Sequence, residues 1–472
     1  MPPSRISVFD MFKIGVGPSS SHTLGPWRAA RHSLACLEQE NLLASVRRVS
    51  CRLYGSLAYT GRGHRTDAAI IFGLSGLDPT TVDTVSLADR LETVTRAKSI
   101  ALNGGSSIPF DHDADIEYDT GTAVATHPNT FDITYRLSRG RRLSHRYVSP
   151  GGGAFHRHGE AVRDFDRPEP PHPCQTAGEL LRRCRATGRS IPELVLENER
   201  FWQSAATVDA RLRKIWETMK QCVLEGVSER GILPGGLGVR RRAPILASKL
   251  AAREGPFGEE LLDRLSTERP GPETVSLWTS TFALAVNEVN AAMGRVVTSP
   301  TNGAAGVVPA VLLYAWCFEG KNHFEHVRDM LCTAGELGSL YVKGATVSAA
   351  QGGCQAEVGV SASMAAGGLA QIMGGSPEQV AAAAEMAMEH HLGLTCDPVG
   401  GLVQIPCIER NAFGASTAIL AARLALAGDP AVSRVSLDDV IATMWSTARD
   451  MNDKYKETSR GGLAVSVKVP DC

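Results

Sequence analysis

The second half of the chain most constrains the fold, because from about residue 176 onward its apolar residues recur at helical spacing and strand patterns are nearly absent. The spacing predicts helices over residues 177–187, 191–224, 274–293, 358–373 and 377–388. The last two of these segments are rich in Ala, Gly and Met, and such small residues let helices pack closely around a central element. This half of the chain is therefore predicted to be all-α.

The first part of the chain has a mixed pattern. Residues 49–54 alternate as a strand does, and so do residues 147–149 before a turn of three glycines at 151–153. Residues 68–74 read as a helix opened by a cap at Thr66-Asp67. Residues 156–175 are rich in His, Arg, Asp and Pro, which is typical of a linker. We therefore expect a multidomain protein: an N-terminal α+β domain over 1–155, a linker over 156–180 and an all-α domain over 181–472.

The composition is that of a soluble globular protein. The chain has 472 residues, of which 43% are hydrophobic and 21% charged, and its net charge is −1. There is no basic excess that would favour nucleic acid as a partner. The polar start lacks the apolar core of a signal peptide, and the longest apolar run, 303–318, is too short to span a bilayer. The expectation is a cytoplasmic protein that binds neither nucleic acid nor membrane.

The eleven cysteines are an odd number, which fits reduced thiols better than a disulfide framework. Most of them lie in apolar or helical contexts and are interpreted as small buried residues; these are Cys36, Cys51, Cys184, Cys222, Cys317 and Cys332. Cys354 instead follows two glycines, Cys396 and Cys407 each have a proline close by, and Cys472 is the last residue of the sequence.

These four cysteines are candidate metal ligands. No C-x-x-C pair is present, so structural zinc and ferredoxin-like electron carriers fit poorly. Three thiolates and a fourth near a free chain end can hold a four-iron cluster with one iron that is easily uncovered, and such an iron is a Lewis acid. The spacing alone leaves the cluster as one option, and Cys472 as a residue that is there by accident stays open as well.

A turn at residues 15–23 combines glycines, a proline and the three hydroxyls of Ser19, Ser20 and Ser21. The N–H and O–H groups of such a turn can converge on an anion, and a helix that starts near Thr23 or at 25–26 adds a favourable potential for a carboxylate. His22 can donate to the same anion. The alternative is a plain helix cap.

Residues 55–67 place His64 between flexible glycines and the start of a helix. A histidine there can face a cleft and be kept neutral by the helix dipole, which suits a general base. The alternative is a solvated loop histidine. A turn at 299–304, which contains Asn302, and the pair His390-His391 are further polar segments; the paired histidines are metal ligands or, on the interpretation we favour, simply end a helix.

Taken together, these segments resemble the single-chain iron–sulfur L-serine dehydratases of bacteria. The matching segments spread over almost the whole chain and are unlike common motifs: 8–15, 17–23, 55–57, 60–67, 233–237, 299–303, 353–359, 396–401, 406–411 and 454–462.

The resemblance implies an N-terminal α+β domain similar to a small-molecule-binding regulatory domain, followed by an all-α catalytic domain that holds a [4Fe–4S] cluster. By motif position Cys354, Cys396 and Cys407 would be fixed ligands, and Cys472 a fourth that leaves when substrate arrives. His64 falls at the position of the family's proposed base. His22 is the second expected catalytic residue and also an expected substrate contact, and the other expected substrate contacts are Ser20, Ser21, Thr23 and Asn302.

The implied reaction is the conversion of L-serine to pyruvate and ammonia, without pyridoxal phosphate (PLP), by a homodimer. The open iron would bind the substrate hydroxyl, the serine turn the carboxylate, and His64 would take the Cα proton. Lys454 and Lys456 are interpreted as contacts that support the tail rather than as Schiff-base lysines. Two alternatives remain open: a hydro-lyase with the same cluster but another hydroxy acid as substrate, and a redox sensor that uses the cysteines for switching.

Overall fold

The computed structural model describes residues 5–160 and 167–467. In the first of these ranges the strands are β1 (Ile14–Val16), β2 (Val46–Tyr54), β3 (Ser99–Ala101), β4 (Ser107–Pro109), β5 (Ile116–Asp119), β6 (Thr130–Leu137), β7 (Arg142–Gly151) and β8 (Ala154–Arg157). The helices between them are α1 (Val8–Met11), α2 (Gly25–Gln39), α3 (Gly55–Thr60), α4 (Thr66–Leu74), α5 (Leu87–Ala97) and α6 (His112–Asp115).

A five-stranded sheet in the order β5-β2-β6-β7-β8 organises the N-terminal domain. β2 runs parallel to β5 and antiparallel to β6, and the other pairs are antiparallel. Side chains alternate along β2: Val49 and Leu53 are fully buried in the domain core, whereas Arg48 and Arg52 are exposed. One face of the sheet thus packs on a core that includes Trp27 of α2, while the other face is polar.

The second described range is helical. Its helices are α7 (Ala177–Thr187), α8 (Ile191–Trp202), α9 (Ala205–Gly226), α10 (Ala243–Ala251), α11 (Glu259–Thr267), α12 (Pro272–Ala291), α13 (Val307–Phe318), α14 (Phe324–Gly344), α15 (Ala349–Gly352), α16 (Val358–Ile372), α17 (Pro377–Glu389), α18 (Cys407–Ala427), α19 (Leu437–Asp450) and α20 (Leu463–Ser466). One short strand, β9 (Arg295–Val297), lies between α12 and α13.

α16 is the centre of this domain. Nearly all of its residues are buried, and it packs against α13, α14, α17 and α18. Because it is buried on nearly every side, this helix lies inside the domain, surrounded by other helices, instead of on the surface. The prediction of an α+β domain followed by an all-α domain is confirmed, as is the expectation that small residues allow close helix packing around a central element.

Two local predictions were wrong. The segment predicted as one helix over 191–224 contains a break, because Ser204 is extended and its hydroxyl oxygen accepts the amide of Thr207 as the cap of a new helix. The helix predicted to be opened by a Thr66-Asp67 cap is instead preceded by Arg65 in the left-handed region (φ 57°). Thr66 and Asp67 lie within its first turn, and Asp67 accepts a hydrogen bond from His112 at 2.8 Å.

The first described residues pack on the helical domain and not on the N-terminal domain. α1 packs against α14, and its apolar residues, such as Val8 and Phe9, belong to the core of the helical domain. β1 pairs antiparallel with β9, with Ile14 opposite Val297. Near the predicted linker, β8 extends to Arg157 and α7 begins at Ala177. None of the helices in the described ranges combines the length and the apolar character that crossing a bilayer demands.

Candidate active site

The turn that precedes α2 buries a row of polar side chains. Ser20, Ser21, His22 and Thr23 form a single helical turn, and all four are at most 5% exposed. Ser19 caps this turn, since its Oγ accepts the amide of His22 at 3.1 Å. α2 follows at Gly25, so the helix start that the sequence predicted near this point is confirmed. The buried hydroxyls and the helix N-terminus lie together, as an anion site requires.

The same turn contacts the loop that carries His64. Thr23 Oγ1 accepts from the Ser19 amide at 3.1 Å and donates to the His64 carbonyl at 2.6 Å. The two imidazole rings of His22 and His64 lie with their centroids 4.6 Å apart. His64 is only 2% exposed, so the interpretation as a solvated loop histidine is wrong. Residues about forty positions apart in the sequence therefore form one polar cluster.

Hydrogen bonds define which nitrogen of each ring carries the proton. His64 Nδ1 lies 2.9 Å from the Thr60 carbonyl, which can only accept, so the neutral ring keeps its lone pair on Nε2. Ser56 Oγ donates to the Glu457 carbonyl at 2.7 Å and therefore accepts from His22 Nε2 at 3.0 Å. His22 Nδ1 is then the acceptor for the Ser21 hydroxyl at 2.8 Å.

Burial keeps both rings neutral. It lowers the pKa of His64 to about 4, because a charged imidazolium would lose its hydration inside the protein. Burial also lowers the pKa of His22 well below its usual range, and the nearby His64 adds to this. At neutral pH His64 thus presents an unprotonated Nε2, the state that a general base needs.

Glu457 is a functional candidate that the sequence reasoning missed. Its Oε1 lies 3.5 Å from His22 Nδ1 and 3.5 Å from His64 Nε2. The residue is 3% exposed, and its Oε2 makes no hydrogen bond within the described part of the chain. Burial and the nearby Glu357 and Cys354 raise the pKa of its carboxyl well above the usual range. The available signal was an acid in the segment 454–464, of which only the lysines were considered.

Asn302 lies behind the serine turn. Its amide nitrogen donates to Asn290 Oδ1 at 3.0 Å and, more weakly, to the Val16 carbonyl at 3.4 Å. Asn290 in turn donates to the Pro18 carbonyl at 2.8 Å. Asn302 Oδ1 is buried and makes no hydrogen bond with the described residues. The amide group of Asn302 thus braces the turn and leaves one acceptor for a ligand.

Two of the four predicted thiols, those of Cys354 and Cys396, come together near the segment that carries Glu457. Cys354, Cys396 and Cys407 are buried and free of disulfides. The sulfurs of Cys354 and Cys396 and a carboxylate oxygen of Glu357 lie within 4.8 Å of one another. The Cys407 sulfur falls outside that group, at the first residue of α18. Cys472, the predicted fourth thiol, lies outside the described residues.

The backbone around these cysteines is closely tied. Gly353 has φ 72°, and a Cβ there would lie 2.8 Å from the Leu394 carbonyl, so only glycine lets the two loops approach. The Cys396 amide donates to the Tyr455 carbonyl at 2.8 Å, and the Glu457 amide donates to the Cys396 carbonyl at 2.8 Å. The segment that carries Glu457 is therefore hydrogen-bonded to the Cys396 loop on one side and to Ser56 on the other.

A partly buried cation, Arg410, lies near the thiols. The Arg410 guanidinium donates to the carbonyl of Thr395, the residue before Cys396, at 2.5 Å. A hydrogen bond from Cys396 lowers the pKa of Cys354 to about 6, and the positive charge of Arg410 acts in the same direction. Burial raises the pKa of Cys407, as does the negative charge of Cys354. Buried thiols with a thiolate-stabilising cation are donors that suit an iron–sulfur cluster.

The other predicted segments have structural roles. His390 and His391 follow the last residue of α17, and their Nδ1 atoms donate back to the carbonyls of Met386 and Ala387 at 2.8 and 2.6 Å. The interpretation that this pair ends a helix is confirmed. Of the six cysteines expected to be small buried residues, five are buried and Cys36 is partly exposed.

Sequence comparison agrees with this two-part architecture. Residues 7–160 match the model of the serine dehydratase beta chain, and residues 186–464 match that of the serine dehydratase alpha chain. The chain belongs to the serine dehydratase family. The L-serine dehydratase of Streptomyces coelicolor is 48% identical over 98% of this chain and 99% of its own length. L-serine dehydratase 1 of Escherichia coli is 46% identical over the same shares.

Membership of the serine dehydratase family confirms the resemblance seen in the sequence. Both family domains are present in one chain, as in the relatives that it matches over their full length. The expectation that the chain is an enzyme of the lyase class is confirmed as well.

Proposed function

We propose that this protein is an L-serine dehydratase that converts L-serine to pyruvate and ammonia with an iron–sulfur cluster. The observation that carries the proposal is that Glu457 lies near two different groups. One is His64, a buried histidine with an unprotonated Nε2, and the other is the pair of buried thiols of Cys354 and Cys396. An elimination needs a base for the Cα proton and help for a poor leaving group, and these two groups supply the two requirements.

The proposed cluster ligands are Cys354, Cys396, Cys407 and Cys472. The first three are buried free thiols, and Arg410 compensates negative charge beside them. When bound, a [4Fe–4S] cluster with one open coordination position would supply Lewis acidity toward the substrate hydroxyl. Cys472 is proposed as the ligand that yields this position, on the strength of the family resemblance.

The serine turn is proposed to bind the substrate carboxylate. Ser20 and Ser21 bring hydroxyls to the N-terminal side of α2, where an anion is stabilised. Asn302 braces this turn through Asn290, and Thr23 ties it to the loop of His64. His22 is proposed as a further contact: the Ser21 hydroxyl donates to its Nδ1 without substrate and would turn from that nitrogen to donate to the carboxylate.

His64 is proposed to take the Cα proton at Nε2. The Thr60 carbonyl holds the opposite nitrogen protonated, so the lone pair stays directed away from the backbone. A neutral imidazole is a weak base for a carbon acid, so most of the barrier reduction must come from the position of the substrate and from the surrounding charges. Pyridoxal phosphate has no part in this scheme, and Lys454 and Lys456 are not assigned a chemical role. A homodimer in the cytoplasm remains our expectation.

The test is anaerobic pyruvate formation from L-serine by untagged protein after reconstitution with iron and sulfide. We expect turnover that is lost on exposure to air, and loss of bound iron in Cys407→Ser but not in the control Cys36→Ser. Turnover that survives both air and a chelator would show that the cysteine assignment is wrong. An intact cluster spectrum without turnover would favour another hydroxy acid or a sensor, and L-threonine and D-serine are the comparison substrates.

A further inference from the structure

The proposed function leaves one group of the substrate without a partner. In that scheme the serine turn would hold the carboxylate and a bound cluster would supply Lewis acidity toward the hydroxyl, but the α-ammonium of an amino acid is a cation that must also leave water. Burying it without an acceptor would cost several kcal/mol. The site should therefore contain a buried acceptor near the carbon that bears this group.

The position of His64 limits where that acceptor can be. The ammonium nitrogen lies about 1.5 Å from Cα. A base that takes the Cα proton must approach this carbon to about 3–3.5 Å. The acceptor must therefore lie within a few ångströms of His64 Nε2, and the Glu457 carboxyl does so, with Oε1 at 3.5 Å.

The carboxyl group of Glu457 accepts no hydrogen bond from the described residues, so it is available to accept from an ammonium group. In the tautomers set by Thr60 and Ser56, neither His64 Nε2 nor His22 Nδ1, each 3.5 Å from Oε1, carries a proton to donate to it. Oε2 makes no hydrogen bond with the described residues. A buried carboxyl group faced by acceptors is stabilised by a ligand that brings several N–H donors and a positive charge.

The backbone holds the carboxyl group of Glu457 in this place. The residue has φ 55°, and its carbonyl accepts from Ser56 Oγ at 2.7 Å while its amide donates to Cys396. Glu357 is the other carboxyl group nearby; it is partly buried and lies on the thiol side, against Cys354 and Thr301. Of the two, Glu457 is the one next to the base.

We propose that Glu457 is the acceptor for the α-ammonium group of the substrate, and hence the residue that makes the site select an amino acid over the corresponding hydroxy acid. This rests on the proposed function for the identity of the substrate. It extends that function, since it assigns specificity to a residue that supplies neither the base nor a cluster ligand.

The test compares two ligands that differ only in the ammonium group. L-alanine and propionate both carry the carboxylate, and neither has a hydroxyl to eliminate, so their dissociation constants can be measured at equilibrium with the reconstituted holoenzyme. We expect the wild type to prefer L-alanine. Glu457→Gln should weaken L-alanine binding by about 30-fold or more, because an amide cannot ionise to pair with the ammonium group as the carboxyl can, and should change propionate binding by less than about threefold.

Three further variants make the result decisive. Glu457→Asp keeps the charge on a shorter side chain and should restore part of the preference for L-alanine. Glu357→Gln should leave the preference in place, and so should Glu409→Gln, a matched change at an exposed glutamate of α18. Circular dichroism establishes that each variant is folded.

Several outcomes would overturn the proposal: equal binding of both ligands to the wild type, equal weakening of both in Glu457→Gln, or loss of the preference in Glu357→Gln instead. The proposed function is tested separately by pyruvate formation. If the protein shows the Glu457-dependent preference but does not turn over L-serine, the proposal of an ammonium site is supported and the proposed reaction is wrong.

Discussion

Replacing Ser56 by alanine tests the tautomer assignment on which the proposed chemistry depends. The Ser56 hydroxyl donates to the Glu457 carbonyl at 2.7 Å and accepts from His22 Nε2 at 3.0 Å, and all three residues are buried. Ser56→Ala deletes a single atom, the Ser56 Oγ, and so removes both hydrogen bonds. It leaves a buried N–H and a buried carbonyl without their partner.

The size of the effect follows from these two groups. An unsatisfied buried donor or acceptor costs about 1–3 kcal/mol. The Glu457 carbonyl keeps a long contact to Thr60 Oγ1 at 3.4 Å, which offsets part of its loss. We therefore expect Ser56→Ala to lower the free energy of unfolding by about 3 kcal/mol, which is several degrees in the apparent melting temperature of a domain of this size.

The effect on activity comes from the ring of His22. Without Ser56 the proton of His22 is no longer held on Nε2, so the Ser21 hydroxyl loses its defined acceptor at Nδ1. If about half of the lost free energy appears in the transition state, kcat/KM for pyruvate formation falls about tenfold. The ¹⁵N shifts of labelled histidine should show Nε2 protonated in the wild type and a mixture of tautomers in the variant.

The matched control is Ser75→Ala. Ser75 is partly buried in the same domain, and its hydroxyl makes a single bond to the Ile71 carbonyl at 2.8 Å. This variant should lose at most about 1 kcal/mol and keep its kcat/KM. A Ser56→Ala enzyme as stable and as active as the control would refute the assignment, as would wild-type NMR data that place the His22 proton on Nδ1.

Three further predictions follow from the same geometry. Gly63→Ala should lower kcat/KM about 100-fold, because a Cβ at Gly63 would lie 2.7 Å from the carbonyl carbon of Gly401 and push the His64 loop away. The acid limb of kcat/KM should lie below pH 6.5, toward the pKa of about 4 of His64, since protonation of Nε2 removes the lone pair and activity is lost as the pH falls through that pKa. Asp397→Asn should speed tryptic cleavage of residues 452–463 about tenfold, because the Asp397 carboxylate accepts the Leu463 amide at 2.5 Å and a charged hydrogen bond of this kind contributes about 1.5–3 kcal/mol.

Each of these has a control. Gly271→Ala adds a Cβ in open space and should leave activity unchanged; equal losses in both glycine variants would show that the Gly63 contact is not the cause. Samples returned from each acidic pH to neutral pH must recover full activity, and an acid limb at or above pH 6.5 would contradict the neutral state of His64. Asp429→Asn changes an exposed cap that accepts the Ala431 amide, and equal cleavage rates in the two aspartate variants would argue against the Asp397 anchor.

The sequence indicated candidate site residues but not the contacts between them. Cys354, Cys396 and Cys407 were recognised from glycine and proline neighbours and from the family resemblance, and the fold brings Cys354 and Cys396 together. That His22 and His64 meet could not be derived, because the bond from Thr23 to the His64 carbonyl joins two segments with no common periodicity. The contacts of Glu457 with His22, His64 and Cys396 could not be derived either, because none of these residues is near it in the sequence.

The fold was predicted well where the pattern is long and poorly where it is short. α16 and α17 carry fifteen and thirteen residues of continuous signal, and they appear at the predicted positions. β1 and β9 have three residues each and pair across most of the chain, so no local pattern indicates the pairing. The sequence also gives no indication that α1 packs on the core of the helical domain, since four residues are too few to show a helical period.

The residues that form the two apolar cores are not the residues that form the candidate site. The N-terminal and helical domains have distinct cores, and the polar cluster of His22, His64 and Glu457 lies between them. Each core contributes stability through its own apolar area, whereas the distances in the cluster depend on hydrogen bonds such as those of Ser56 and Cys396. Substitutions at these polar contacts should therefore reduce activity by a larger factor than their cost in stability suggests, whereas substitutions in either core should reduce stability first.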